Sequence, residues 1–170
     1  VDVDGQLGFV GDAIRMVRSE ISGKIPLVGF AAAPFTLCSY MVEGGKSRDF
    51  TLTKAMMYEE PEPWQRLMDK VVRVLADYMN MQVAAGAQAL QVFDSWVGCL
   101  GPADYEKYIL PYTRRLFKEL ETTGVPVINF STGTSTMLPL VRQAGGDVMS
   151  FDWRIELDDA WRQIGHQTPV

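Results

Sequence analysis

Four short apolar runs, IPLVGF (25–30), ALQVF (89–93), PVINF (126–130) and DVMSF (147–151), alternate along this chain with stretches of helical hydrophobic spacing. Runs this short and this apolar suit strands buried on both faces. Strands that alternate with helices require a parallel sheet, because each crossover must carry the chain back to the same end. A helix comes first, with Phe9, Val10, Ala13, Ile14, Val17 and Ile21 on one face and Ser22-Gly23 as its stop. From Trp64, the residues Leu67, Val71, Leu75, Tyr78 and Ala85 mark a long amphipathic helix that ends at Gly86. Gly101-Pro102 opens another, with Tyr105, Tyr108, Ile109, Tyr112, Leu116 and Leu120 inward; Pro111 should kink or split it. Met137 to Ala144 and Leu157 to Ile164 complete the series.

The expected class is therefore α/β. The strand starts are unequally spaced, so the units are not a sequence repeat, and no composition shift marks a linker. A doubly wound sheet should carry a glycine-rich phosphate turn, and IPLVGFAAAPF lacks the GxGxxG spacing. This favours a (β/α)8 barrel, which needs eight strands and about 250 residues. The visible units are about half of that, and the pattern starts within a helix, as expected for part of a longer chain.

Composition narrows the function. Sixteen Lys plus Arg against twenty-one Asp plus Glu leave a net charge of −5, with no overall positive field for a nucleic-acid backbone. No apolar stretch approaches the ~20 residues that cross a bilayer, and the first residues lack a signal-peptide pattern. A soluble, cytoplasmic protein is expected, with no nucleic-acid or membrane partner. Cys38, Cys99 and the single His166 offer neither a disulfide framework nor a zinc cluster.

Several local motifs carry no chemistry. Gly45-Lys46-Ser47 ends like a phosphate loop, but position 40 is Tyr40 where that loop needs glycine. Asn129-Phe130-Ser131 has the form of a glycosylation acceptor but ends a buried strand. His166 suits an ordinary surface position, and methionines such as Met68 and Met79 suit core-filling on helix faces.

More informative are the polar residues just after the strands, since reacting groups in parallel barrels project from the carboxyl ends. They are, with the apolar ring of Phe93 among them, Thr36, Ser39, Tyr40 and Glu43 in a loop after the first strand; Phe93, Asp94, Ser95 and Trp96 after the second; Ser131 and Thr132 after the third; Asp152, Trp153 and Arg154 after the fourth. Either these residues form a site, or Asp94, Ser95 and Asp152 cap the following helices while Trp96 and Trp153 cover the barrel mouth.

The runs AAAPFTLCSYMVEGGKS, AGAQALQVFDSWVG, LPY and AGGDVMSFDWR closely resemble the uroporphyrinogen decarboxylases, in order and over nearly all 170 residues. The resemblance implies one partial barrel domain over 1–170, containing strands three to six of a (β/α)8 barrel. It also implies a cytosolic homodimer that removes carbon dioxide from the four acetate arms of uroporphyrinogen to give coproporphyrinogen, without metal or organic cofactor. By the same resemblance Tyr40 matches an active-site tyrosine, Ser95 a serine that contacts a substrate carboxylate, and Phe93 a ring packed against the tetrapyrrole. Ala32 and Lys46 depart from the family's usual glycines beside this loop. The family's arginine-rich N-terminal segment, central aspartate and last-strand histidine match nothing in these residues, so the stretch alone is expected to be inactive. Decarboxylation of a pyrrole acetate needs ring protonation and a carboxylate to offset the cation. A multiply carboxylated substrate also needs cationic partners, for which Arg48 and Arg154 are the local candidates.

Two other readings are a zinc-dependent methyltransferase on the same barrel and a non-catalytic half-barrel. The first would carry His-x-Cys where this chain has Asn129-Phe130-Ser131. The second would leave two sheet edges open.

Overall fold

The computed structural model describes residues 2–21, 23–45, 47–120 and 124–170. Ser22, expected in a helix stop, and Lys46, one of the departures from the family pattern, lie outside these residues. The chain runs through α1 (Val3–Ile21), β1 (Val28–Ala32), α2 (Pro34–Glu43), α3 (Thr51–Glu59), α4 (Pro61–Ala85) and β2 (Ala89–Asp94). It continues through the single turn α5 (Pro102–Asp104), α6 (Leu110–Leu120), β3 (Val127–Ser131), α7 (Leu138–Ala144), β4 (Val148–Phe151) and α8 (Leu157–Ile164). The four strands are parallel and lie side by side in chain order.

The expected alternation is present, with three corrections. The first strand starts at Val28, not Ile25: Pro26 has no N–H to give to a ladder, and pairing begins where Val28 meets Ala89. The segment expected as a loop after it is the helix α2, with Pro34 in its first turn and Gly44 in the left-handed conformation (φ 71°) closing it. No side chain of its own caps α2, so its support comes from elsewhere in the fold. The helix α3, which the hydrophobic pattern did not suggest, follows Phe50, itself left-handed at φ 52°. The break expected at Pro111 takes the form of a π-helical turn over Tyr105–Ile109 just before α6. Proline cannot donate to the carbonyl four residues back, and a widened turn accommodates the gap.

Helix α4 organises the core. Its buried face, including Met68, Val72, Leu75 and Met79, packs with Leu90 and Val92 of β2 and with Leu116 and Phe117 of α6. Met68 and Met79 are fully buried, as their helical spacing suggested. Its Gln82 brackets Phe30 of β1: Nε2 donates to the Phe30 carbonyl at 3.0 Å, and Oε1 accepts the Phe30 N–H at 3.0 Å. The contact requires glycine next door, because a Cβ on Gly29 would lie 2.7 Å from Gln82 Oε1. The other face of the sheet is more open. Phe30 is 61% exposed, and it meets the ring of Phe93 at 5.9 Å. Phe93 shares a rung with Ala32 and Phe130.

Candidate functional site

At the carboxyl ends of the strands the chain builds a polar, hydrogen-bonded rim. Asp94, the last residue of β2, is buried, and its Oδ1 accepts the Thr36 hydroxyl at 2.6 Å. The same Thr36 oxygen accepts the Trp96 N–H at 3.2 Å. Burial pushes the Asp94 carboxyl up from 3.8 to about 7, although the hydroxyl and backbone amide of Thr36 both favour its charged form. Asp94 therefore supplies α2, from another strand, with the cap that its own sequence lacks. A parallel device starts α3: Glu43 Oε1 accepts both the N–H and the hydroxyl of Thr53 at 2.9 Å. Desolvation would raise the Glu43 carboxyl, but these bonds, with that from Ser47, outweigh it and hold it below the usual range.

These links set a row of rings. Trp96 is half-buried, with Tyr40 edge-on at 6.0 Å on one side and Phe50 at 5.5 Å on the other. Beneath it the turns after β2 and β3 are in backbone contact: a Cβ on Gly98 would lie 2.4 Å from the Thr132 carbonyl oxygen. Thr132 ties the two turns together, donating its hydroxyl to the Ser95 carbonyl at 2.6 Å and its N–H to the Asp94 carbonyl at 3.3 Å. Asp152, after β4, accepts the Gly133 N–H at 2.8 Å and the Arg154 N–H at 3.2 Å, and pairs with the Arg154 guanidinium. Desolvation works against its charge, but these donors outweigh it and hold the carboxyl below its usual value.

Between these turns and the segment before α3 lies a cavity of about 410 Å³. Ser95, Trp96, Thr132, Phe50, Arg48 and Arg154 are among its walls. Of the three residues expected at a site by resemblance, Ser95 lines this cavity. Tyr40, 43% exposed on α2, reaches it only through the ring of Trp96, and Phe93 lies on the open face of the sheet. Phe50 and Gly98, both in its lining, carried no sequence signal: their importance comes from contacts with residues distant along the chain.

The capping alternative is corrected in detail. Asp94 caps α2 rather than the helix that follows it, Asp152 holds Gly133 and Arg154, and neither α5 nor α8 has a side-chain cap. Trp153 is 85% exposed and lies beneath the Arg154 guanidinium. His166 is exposed and packs edge-on against Trp161, as a surface residue would.

Asn129-Phe130-Ser131, where a zinc-dependent methyltransferase would carry His-x-Cys, is committed to hydrogen bonds within the fold. Asn129 is buried and donates to the carbonyls of Val141 and Gly145, while the Ser131 hydroxyl bonds Thr134. Burial pushes the Cys38 thiol up to about 12 and raises that of Cys99. Among the described residues no three His, Cys, Asp or Glu side chains gather as a metal cluster. No described helix is long and apolar enough to cross a membrane.

Parallel βα units with a cavity at the carboxyl ends of the strands define an α/β protein of the TIM-barrel class, and this chain supplies about half of such a barrel. Its backbone superposes on a methyltransferase from Methanosarcina mazei with a TM-score of 0.80, at 18% identity, over 94% of this chain and 46% of that one. At that identity the likeness is one of fold. The profile of the uroporphyrinogen decarboxylase (URO-D) family matches residues 1–170, and the chain belongs to that family. It is 52% identical over 164 residues to the uroporphyrinogen decarboxylase of Sorangium cellulosum, covering 96% of this chain and 47% of the relative. The enzyme of the same name from Solibacter usitatus is 52% identical over 165 residues, covering 97% of this chain and 48% of that protein. The chain thus spans about half the length of the curated relatives it matches.

Proposed function

We propose that this chain forms part of the barrel domain of a uroporphyrinogen decarboxylase, a carboxy-lyase that converts uroporphyrinogen to coproporphyrinogen in porphyrin biosynthesis. The observation that carries this is the 52% identity sustained over 96% of the chain. Under this reading residues 1–170 form one continuous stretch of a cytoplasmic, homodimeric enzyme that uses neither metal nor organic cofactor.

The chemistry assigns work to the residues at the strand ends. A proton adds to the pyrrole α-carbon next to the one that bears the acetate arm, and the ring becomes a cation. The bond to the carboxyl group then breaks, its electron pair neutralises the ring, and carbon dioxide leaves. A second proton converts the exocyclic methylene to methyl, and loss of the first restores the pyrrole. Tyr40 hydrogen-bonds a reacting carboxylate or orients the group that offsets the cation; Ser95 fixes another carboxylate. Phe93 stacks against the tetrapyrrole, and Trp96 helps to exclude water. The offsetting carboxylate is, by the family resemblance, a central aspartate that matches nothing in these residues; Asp94 is buried against Thr36, and Asp152 is held by Gly133 and Arg154.

The test is an anaerobic assay of the protein expressed from its complete reading frame, following coproporphyrinogen formation from uroporphyrinogen. Stoichiometric release of four carbon dioxide molecules per substrate is the expected result. Absence of any decarboxylated product from a folded protein overturns the proposal.

A further inference from the structure

In a chain of net charge −5, the cavity at the strand ends is lined by two arginines and by no acidic side chain. Arg48 approaches from the segment before α3 and Arg154 from the turn after β4. Arg48 is exposed and has no ion-pair partner among the described residues. Arg154 is held by Asp152, which stands behind the lining and is itself fixed by the Gly133 N–H. That pairing occupies part of the guanidinium fork and leaves further N–H donors. Ser47, Ser95 and Thr132 add polar residues to the lining, and Phe50 and Trp96 add aromatic ones. Two guanidinium groups beside apolar ring walls favour a planar, delocalised anion with aliphatic or aromatic substituents.

We infer that this cavity is a carboxylate-binding subsite in which Arg48 is the principal cation and Asp152 positions Arg154 as the second. It deepens the decarboxylase reading and rests on it for the substrate, a polycarboxylate one of whose arms enters here while the reacting arm lies elsewhere. Arg48 and Arg154 act as binding residues for a non-reacting arm, and Asp152 as a positioning residue. Removing either arginine should therefore alter KM far more than kcat.

The probe is propane-1,2,3-tricarboxylate, titrated calorimetrically into the protein expressed from its complete reading frame, with the neutral triamide as control. The tricarboxylate is expected to bind and the triamide not to bind. Arg48→Gln and Arg154→Gln should each weaken binding by about tenfold, with Arg48→Lys intermediate and added salt weakening the wild type. In a uroporphyrinogen assay the same variants should raise KM with little change in kcat. Unchanged tricarboxylate affinity in the double variant, or no binding to the wild type, overturns the subsite. Decarboxylation with an unchanged KM in the double variant removes the subsite and leaves the activity standing. Arginine-dependent binding by a protein that does not decarboxylate uroporphyrinogen removes the activity and leaves the subsite standing.

Discussion

The Thr36 hydroxyl donates to Asp94 Oδ1 at 2.6 Å and accepts the Trp96 N–H at 3.2 Å, so a single side chain joins the start of α2 to the end of β2. Because Asp94 is buried, this link ties the geometry of the rim to the charge state of one carboxyl. The folded protein holds the Asp94 proton up to about pH 7, whereas the unfolded chain releases it near 3.8. Between those values the native state binds more protons, so Asp94's contribution to stability is complete below 3.8 and is lost as pH rises through about 7. Urea unfolding of the wild type between about pH 5 and pH 8 should show stability falling by about 1.4 kcal/mol for each unit of the shift spanned. Asp94→Asn should flatten that slope; an unchanged slope would remove Asp94 as its source.

Tyr40 presents its ring edge to Trp96, a contact that phenylalanine preserves. Tyr40→Phe therefore isolates the hydroxyl. If that hydroxyl serves the reacting carboxylate, kcat for uroporphyrinogen should fall by about tenfold or more while the thermal midpoint stays put. Wild-type kcat in the variant would show that the hydroxyl has no part in the reaction.

Gly98 sits where a methyl group would press against the Thr132 carbonyl at 2.4 Å. The clash is with backbone, which cannot swing aside as a side chain can. Gly98→Ala should cost about 1–3 kcal/mol in denaturant unfolding and separate the turns after β2 and β3. If the variant matches the wild type in stability, the close approach of those turns is not needed.

Asn129 spends its amide on the carbonyls of Val141 and Gly145, at 3.2 and 2.9 Å. Asn129→Ala leaves two carbonyls at the end of α7 without that donor in a buried setting. Its unfolding free energy should drop by about 2 kcal/mol or more. A variant as stable as the wild type would show that other donors replace the amide.

Much of the architecture was legible in order along the chain. Helix α4 and strands β2, β3 and β4 announce themselves because burial periodicity is a local property, set by which residues sit three or four apart or fall in one apolar run. Pro111 likewise signalled a break, since a missing N–H acts within one turn. The runs around Tyr40, Ser95 and Arg154 also revealed the family. Helices α2 and α3 were not legible, for one physical reason: their first turns are satisfied by Asp94 and Glu43, carboxylates that lie 58 and 10 positions away from their partners. Local sequence determined the alternation of strand and helix and the residue types at the strand ends. Only the tertiary structure decided which of those residues meet: that Ser95 lines a cavity with Arg48 and Arg154, that Trp96 stands between it and Tyr40, and that Asp94 turns inward as a cap. Strand pairing sets those distances, and pairing joins residues that no short window of sequence contains.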